Sequence, residues 1–256
     1  MKGLIIKDIF CLRKQLKTFT FVLIGVFVLA LMYVLSARFG NIAKAGADML
    51  MDNDLTAVDV KNIGSYVLVL FMLIPMSAVL DMSVIFNADG EAGFGKIAGT
   101  LPLSIHKRLF ARFLTIYALF AIGIAVDTVL ASVISSLTDL MTFGELMGVI
   151  VSAAAFFSIY GALIIFFNIL LGYGKDQYCQ FLAIFATVLG VALFNIRHLI
   201  KIWKVLFLEQ ELDFKVLGWL DYIKTKAWFV VIAAIMVSAA SYGISLYIAD
   251  RKRGVI

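Results

Sequence analysis

Charged residues are scarce in this chain: Asp, Glu, Lys and Arg together make up only 15% of its 256 residues, whereas 63% are hydrophobic. Soluble domains carry roughly 25% charged residues, and a mean hydropathy of +1.03 lies far from that class. The shortage of charge therefore excludes an ordinary soluble domain and indicates an integral membrane protein. Several crossings of about 20 residues each would leave little room for a soluble domain. We expect a single transmembrane domain over residues 1–256.

Histidine and cysteine are also scarce, with two of each. His106 and His198 fall on opposite sides of the predicted membrane. A metal site that uses both histidines is therefore incompatible with the predicted topology. Cys11 and Cys179 both fall on the predicted cytoplasmic side, where thiols stay reduced. We therefore expect neither a disulfide nor a metal site.

Catalytic motifs are missing as well. The sequence has no Walker-type Gly-x-x-x-x-Gly-Lys-Ser/Thr, no His-Glu-x-x-His and no Gly-x-Ser-x-Gly. We therefore expect no catalytic residue and no ATPase activity in this chain. An intramembrane enzyme would need paired carboxylates or histidines at one depth, and Asp81 and Asp127 fall at different depths. The formal charge of +5 lies mostly beside apolar segments, which indicates contact with anionic lipid rather than nucleic acid.

Long apolar runs predict an all-α membrane protein with six transmembrane helices. Their predicted bounds are residues 19–37, 64–86, 113–137, 147–171, 178–196 and 227–249. Ahead of them, residues 1–18 carry apolar side chains at helical spacing and basic side chains on the other faces. This pattern predicts an N-terminal helix lying in the membrane interface. The alternative is a positively charged flank that only orients the first span.

Both termini are predicted to be cytoplasmic. The majority of Lys and Arg residues then lie inside, chiefly in residues 1–18, 87–112 and the tail at 251–253, in agreement with the positive-inside rule. Residues 197–226 oppose this assignment, because they fall outside and yet carry six basic residues. Their mixture of apolar and basic side chains is typical of an extracellular interfacial or re-entrant segment.

Three polar residues within the predicted spans are candidates for a transport pathway: Asp81, Asp127 and Asn168. A carboxylate is costly inside a membrane and normally faces protein, water or a partner. Asp81 lies about a turn from the cytoplasmic end, so it either reaches headgroup water or serves a pathway or helix contact. Asp127 lies deeper and forms either a polar helix contact or a substrate contact. Asn168 is most simply an interhelical hydrogen-bonding residue.

Residues 87–112, NADGEAGFGKIAGTLPLSIHKRLFAR, form the most informative polar stretch. Together with the charged start, the six spans and the outer insertion before the last span, this stretch resembles the ABC-2 type transporter permeases of bacteria. The resemblance is greatest to the small-permease branch of peptide and bacteriocin exporters, including those for phenol-soluble modulins. In this family an acidic residue, a glycine or aromatic and a basic residue precede Leu-Pro-(Leu/Ile/Val)-Ser, which is followed by basic residues. The corresponding positions here, with the preceding acidic residue Asp89, are Glu91, Gly93, Phe94, Lys96, Leu101, Pro102, Leu103, Ser104, Lys107 and Arg108.

The resemblance implies a function. Residues 87–112 would form a cytoplasmic coupling loop, with residues 89–104 seated in a groove of a separate ABC ATPase subunit. Two permeases, identical or related, would form an export path in the cytoplasmic membrane of a bacterium, surrounded by lipid. This chain would hold no cofactor, since ATP and Mg would bind the ATPase. The apolar character favours amphipathic peptides or lipid-like cargo. The alternative is a non-transport binding, immunity or sensor module that needs no ATPase.

Overall fold

The computed structural model describes residues 2–39, 69, 74, 76–77, 83–93, 104–137, 141–172, 174–194 and 219–251. This part of the chain contains six α-helices and no strand. In chain order they are α1 (Lys2–Phe39), α2 (Ser83–Glu91), α3 (Ile105–Leu137), α4 (Phe143–Leu171), α5 (Asp176–Phe194) and α6 (Trp219–Arg251). The predicted all-α class is confirmed for the described residues.

Five of these helices, all except α2, are long and apolar enough to cross a membrane. They correspond to the first, third, fourth, fifth and sixth predicted spans, and α3 and α4 end at the predicted residues 137 and 171. Most of the second predicted span, together with Asp81, lies outside the described residues. At 1.5 Å per residue, α1 is about 57 Å long, whereas the hydrocarbon core is about 30 Å thick. A large part of α1 therefore extends beyond the membrane core.

The predicted boundary between an interfacial helix and the first span does not exist as a break in the structure, since α1 runs through residue 18. Residues 4–24 contain no glycine or proline that would interrupt a helix. At the junction, the hydroxyls of Thr18 and Thr20 donate to the carbonyls of Lys14 and Leu16, at 3.2 and 2.7 Å. Residues 1–18 are thus not a separate helix; from Lys2 onwards they form the first half of α1.

The central helix is α4, which packs against α3, α5 and α6, most extensively against α6. After Glu145 it contains no charged residue. Its buried small residues, including Ala153, Gly161 and Ala162, allow neighbouring helices to approach closely. Towards the amino-terminal end of α1, the short helix α2 contacts α1, α4 and α5, while α3 contacts α1, α4 and α6. This arrangement brings the ends of α1, α2 and α3 together.

A capping box begins α4. The Thr142 side chain accepts a hydrogen bond from the Glu145 backbone N–H at 3.3 Å, and the Glu145 carboxylate accepts one from the Thr142 N–H at 2.9 Å. We expect Thr142→Ala to cost about 1 kcal/mol of stability, because one helix-end N–H loses its partner. Thermal unfolding in detergent measures the loss. The control is Ser136→Ala, because the Ser136 hydroxyl donates to the Val133 carbonyl within its own helix rather than to a helix-end group. Equal losses in both variants would contradict a specific role for the cap.

Candidate functional site

Four charged side chains from α1, α2 and α3 form a closed set of contacts, which we call the ion-pair ring: Lys7, Asp8, Asp89 and Arg112. The Lys7 Nζ lies 2.6 Å from Asp89 Oδ1 and 3.3 Å from Asp8 Oδ1. The Arg112 Nη1 lies 3.3 Å from Asp8 Oδ1, and its Nη2 contacts Asp89 Oδ2. Each acidic side chain therefore contacts both basic side chains, and positive and negative charges alternate around the ring.

The ion-pair ring is largely withdrawn from solvent. The side chains of Asp8 and Asp89 are 2% and 3% exposed, and those of Arg112 and Lys7 are 15% and 25% exposed. Phe86 lies against the Arg112 guanidinium, with 4.9 Å between Cζ and the ring centroid, which is a cation–π geometry. Two positive and two negative formal charges cancel. This balance matters because an unpaired buried charge costs several kcal/mol.

The ion-pair ring lies at the base of the predicted coupling loop. Asp89 is two residues from the end of α2 at Glu91, and Arg112 lies about two turns after the start of α3 at Ile105. In the sequence, residues 92–104 lie between these two helices. The Asp89–Arg112 contact therefore holds the two ends of the loop together.

Four predicted coupling residues lie within the described part of the chain: Asp89, Glu91, Gly93 and Ser104. Asp89 is buried in the ion-pair ring, whereas Glu91 is exposed. Gly93 has a φ of 61°, a left-handed conformation that glycine adopts without strain, and it turns the chain away from α2. Ser104 is exposed, and its hydroxyl accepts a hydrogen bond from the Lys107 N–H at 3.4 Å where α3 begins.

The other predicted coupling residues lie outside the described residues: Phe94, Lys96, Leu101, Pro102 and Leu103. The two acidic residues of the predicted motif lie in different environments. The Asp89 carboxylate is occupied by Lys7 and Arg112, whereas the exposed Glu91 carboxylate is accessible to a partner.

Asp127 is a buried carboxylate in the apolar part of α3. It is 0% exposed, and neither carboxylate oxygen has a hydrogen-bond partner among the described residues. Asp127 is the only charged residue between Arg112 and the end of α3. Other buried residues in this part of the helix, such as Phe120, Leu130 and Ile134, are apolar. A carboxylate this deep in a membrane span requires a polar partner or a water-filled face. The described part of the chain provides neither for Asp127.

Asn168 is buried, and its amide donates to the Ile164 carbonyl at 2.8 Å. This bond lies within α4, and the interhelical bond that we predicted for Asn168 stays a prediction. Polar side chains can reach a carbonyl one turn earlier in their own helix, and sequence position alone does not distinguish the two outcomes.

Hydroxyl groups supply further polar contacts between helices, among α3, α4 and α6. Ser158 of α4 lies 3.4 Å from the hydroxyls of both Tyr117 and Ser238. Ser241 of α6 donates to the Ala162 carbonyl of α4 at 2.7 Å. These contacts link α3, α4 and α6 through hydrogen bonds as well as through packing.

Within the described ranges, no group of three or more His, Cys, Asp or Glu residues is placed to hold a metal ion. His106 is exposed near the start of α3, and His198 lies outside the described residues. Cys11 and Cys179 are both free.

Three residues of the ion-pair ring, Lys7, Asp8 and Arg112, were not among the site residues predicted from sequence. One signal was available: Asp8 is the only acidic residue in the basic segment 1–18. A single carboxylate beside several cations is a candidate for an internal ion pair. Nothing in the sequence identifies Arg112 or Asp89 as the other members.

Long apolar helices around α4, with charged helix ends meeting in the ion-pair ring, define a multi-pass integral membrane protein. A family model described as "ABC-2 family transporter protein" matches residues 55–250. The chain belongs to this family and is a membrane permease component of an ABC transporter, which implies association with an ABC ATPase subunit. Comparisons with curated proteins and with solved structures gave no match. The resemblance to ABC-2 permeases is confirmed, whereas the peptide-exporter branch stays a prediction.

Proposed function

We propose that this chain is the permease subunit of an ATP-driven exporter, in which two permeases form the path and separate ATPase subunits supply the energy. The observation that carries this proposal is the family match over residues 55–250. This chain acts without catalytic residues or a bound cofactor of its own, and ATP and Mg bind the ATPase. The absence of a Walker motif from the sequence supports this division of labour.

The ATPase contacts the coupling loop of residues 87–112, with residues 89–104 seated in a groove of the ATPase. Glu91 on one side and Lys107 on the other are exposed, so the base of the loop offers both signs of charge. Between them, Leu101, Pro102 and Leu103 supply an apolar anchor for a pocket of the ATPase. Coupling to ATP requires that the loop fits the nucleotide-bound and nucleotide-free ATPase with different affinities.

The cargo is an amphipathic peptide or a lipid-like molecule, exported across the cytoplasmic membrane of a bacterium. The resemblance to peptide exporters supports this direction and this cargo class. Large apolar side chains are exposed along α5 and α6, among them Phe181, Phe185, Trp228 and Ile235. Such surfaces suit contact with lipid or with the second permease of the dimer.

Purification under mild detergent tests the proposal. The tagged chain is isolated from its native membrane, the bound proteins are identified, and ATP hydrolysis is assayed. We expect an ABC ATPase to co-purify and to hydrolyse ATP. Glu91→Lys reverses an exposed charge at the docking site, so we expect the yield of ATPase to fall about tenfold, equivalent to about 1.4 kcal/mol.

Asp250→Lys is the matched control, because Asp250 is also exposed but belongs to α6 rather than to the loop or the two helices that flank it. An equal loss of ATPase in both variants would show that net charge, not the loop, governs the association. A folded chain that retains no ATPase would favour the alternative of a non-transport binding, immunity or sensor module, which needs none.

A further inference from the structure

We propose that Asp127 binds a cationic group of the cargo, an ammonium or guanidinium carried on an otherwise apolar molecule. The cargo approaches along the face of α3 that carries Ser132 and Ser136, from the helix end opposite the ion-pair ring. This inference rests on the proposed function, because it names the chemical class of the cargo. It also states which group of the cargo the membrane helices recognise and where they hold it.

The first observation is the depth of Asp127 in the membrane-spanning part of α3. Fifteen residues separate it from Arg112, and ten separate it from the helix end at Leu137. These separations correspond to about 22 and about 15 Å along the helix axis, and the hydrocarbon core is about 30 Å thick. The carboxylate is therefore more than two turns from either end of the span, too far for the short Asp side chain to reach headgroup water.

The second observation is a charge imbalance. Three aspartates are buried in the described structure; Asp8 and Asp89 each contact Lys7 and Arg112, whereas Asp127 has no such contact there. The spanning parts of the described helices hold no Lys or Arg, which covers residues 18–36, 113–137, 143–171, 176–194 and 227–250. An ionised carboxylate in apolar surroundings needs a cation beside it. A pairing cation must therefore come from outside these segments.

Protonation alone does not satisfy the Asp127 carboxyl group. A neutral carboxyl carries an O–H donor and acceptor atoms that also need partners, and neither oxygen has one among the described residues. The adjacent Thr128 hydroxyl donates to the Ile124 carbonyl of its own helix at 2.8 Å. One turn before and one turn after, the small residues Gly123 and Ala131 are buried. On its own face of α3, no bulky side chain therefore lies one turn from the carboxylate to block an incoming group.

The third observation is that the exposed face of α3 changes character at the depth of Asp127. Between Arg112 and Asp127, the exposed residues are all apolar: Leu114, Ala118, Ala121, Ile122 and Ala125. Beyond Asp127, the exposed residues of this helix are Val129, Ser132 and Ser136. An apolar face suits lipid, whereas serine hydroxyls also offer hydrogen bonds to water and polar groups. The part of α3 remote from the ion-pair ring thus borders a polar path that ends at the depth of Asp127.

Binding of matched probes to the full chain tests the inference. The chain, with the proteins that co-purify, is placed in nanodiscs of zwitterionic lipid without nucleotide, and empty nanodiscs measure binding to lipid alone. One probe pair is an amphipathic leucine–lysine peptide and the same peptide with acetylated lysines. The other pair is dodecylammonium and the neutral N-dodecylacetamide. We expect Asp127→Asn to weaken binding of at least one cationic probe by about tenfold or more, the effect of losing a hydrogen bond to a charged group. Binding of the neutral probes should not change.

Asp250→Asn is the matched control, because it removes one exposed carboxylate of α6 and changes the net charge equally. A second measurement keeps Asp127 and tests the path. Ser132→Cys and Ala121→Cys occupy exposed positions of α3, in a background where Cys11 and Cys179 are replaced by serine. A water-soluble cationic methanethiosulfonate reagent should label the cysteine at position 132 and leave the one at position 121 unlabelled.

The outcomes distinguish this inference from the proposed function. If the native chain binds neither cationic probe more tightly than its neutral partner, or if Asp127→Asn and Asp250→Asn act alike, the cation site is wrong. Equal labelling at positions 132 and 121 would overturn the path along the serines. The probe pair that depends on Asp127 shows whether a peptide or a lipid-like amine supplies the cation. If binding depends on Asp127 but no ATPase co-purifies, the exporter fails and the cation site stands; the reverse result leaves an exporter without this site.

Discussion

Arg112→Gln should lower the unfolding temperature of this protein by on the order of 10 °C. The substitution leaves the buried carboxylates of Asp8 and Asp89 with Lys7 as their only remaining partner in the ion-pair ring. Removing one member of a buried ion-pair network costs about 3–5 kcal/mol, because a charge stays buried without compensation. For a chain of this size, each kcal/mol corresponds to about 2–4 °C. Loss of the contact between Arg112 and Phe86 adds to the effect.

Thermal unfolding in detergent, followed by intrinsic tryptophan fluorescence, checks this result. The matched control is Lys107→Gln, which removes a basic side chain from an exposed position of the same helix. Exposed charges of this kind contribute about 0–1 kcal/mol, so the control should unfold close to the native temperature. If Arg112→Gln were as stable as Lys107→Gln, the ion-pair ring would not be a closed, buried network in solution.

Asp127→Leu should have the opposite effect and raise stability by about 1–4 kcal/mol, the range found when buried ion pairs are replaced by well-packed apolar side chains. The Asp127 carboxylate is fully buried, and it has no hydrogen-bond partner among the described residues. Leucine is close in size and removes the cost of burying a polar group. The gain should be visible as a higher unfolding temperature in the same assay.

The same variant should lose export activity. A carboxylate retained inside a membrane helix despite its cost is a candidate for a functional role, and stabilising such a site commonly reduces activity. Export is followed in vesicles that contain the permease and its ATPase, with an amphipathic peptide as the probe.

Thr115→Val is the matched control for Asp127→Leu. Thr115 is buried in the same helix, but its hydroxyl already bonds to the Ala111 carbonyl at 3.0 Å. Its replacement should therefore change both stability and export little. Destabilisation by Asp127→Leu would contradict an unpartnered carboxylate and would indicate a partner in the segments outside the described residues. Unchanged export would remove Asp127 from the transport pathway.

Prediction of the fold succeeded where the signal is local. The third and fourth spans end at residues 137 and 171, as the apolar runs indicated, and α4 begins at the Thr142–Glu145 capping box. At the junction near residue 18 the change in charge pattern does not coincide with a helix end, and the interfacial position of residues 1–18 stays a prediction. A change from charged to apolar residues marks where a helix enters the membrane, but a helix ends only where its backbone hydrogen bonds end.

The candidate site was predicted only in part. Its residues within one segment share a motif, whereas residues far apart in the sequence have no pattern that links them. Glu91, Gly93 and Ser104 were found from a motif within one segment. Lys7 and Asp89 are 82 residues apart, and no periodicity relates them. Two acidic residues that look alike in the sequence, Asp89 and Glu91, have opposite environments, one buried in the ion-pair ring and one exposed.

The amino-acid sequence by itself determined the membrane class, the helical class and the absence of an ATP-binding motif. These properties depend on the composition and order of residues within single segments, and transfer into a membrane depends on local hydropathy. Only the tertiary structure decided which charges pair, which carboxylates are buried and that α1 is joined to both ends of the coupling loop. Ion pairing depends on distances of a few ångströms between helices, and those distances arise when α1, α2 and α3 pack together.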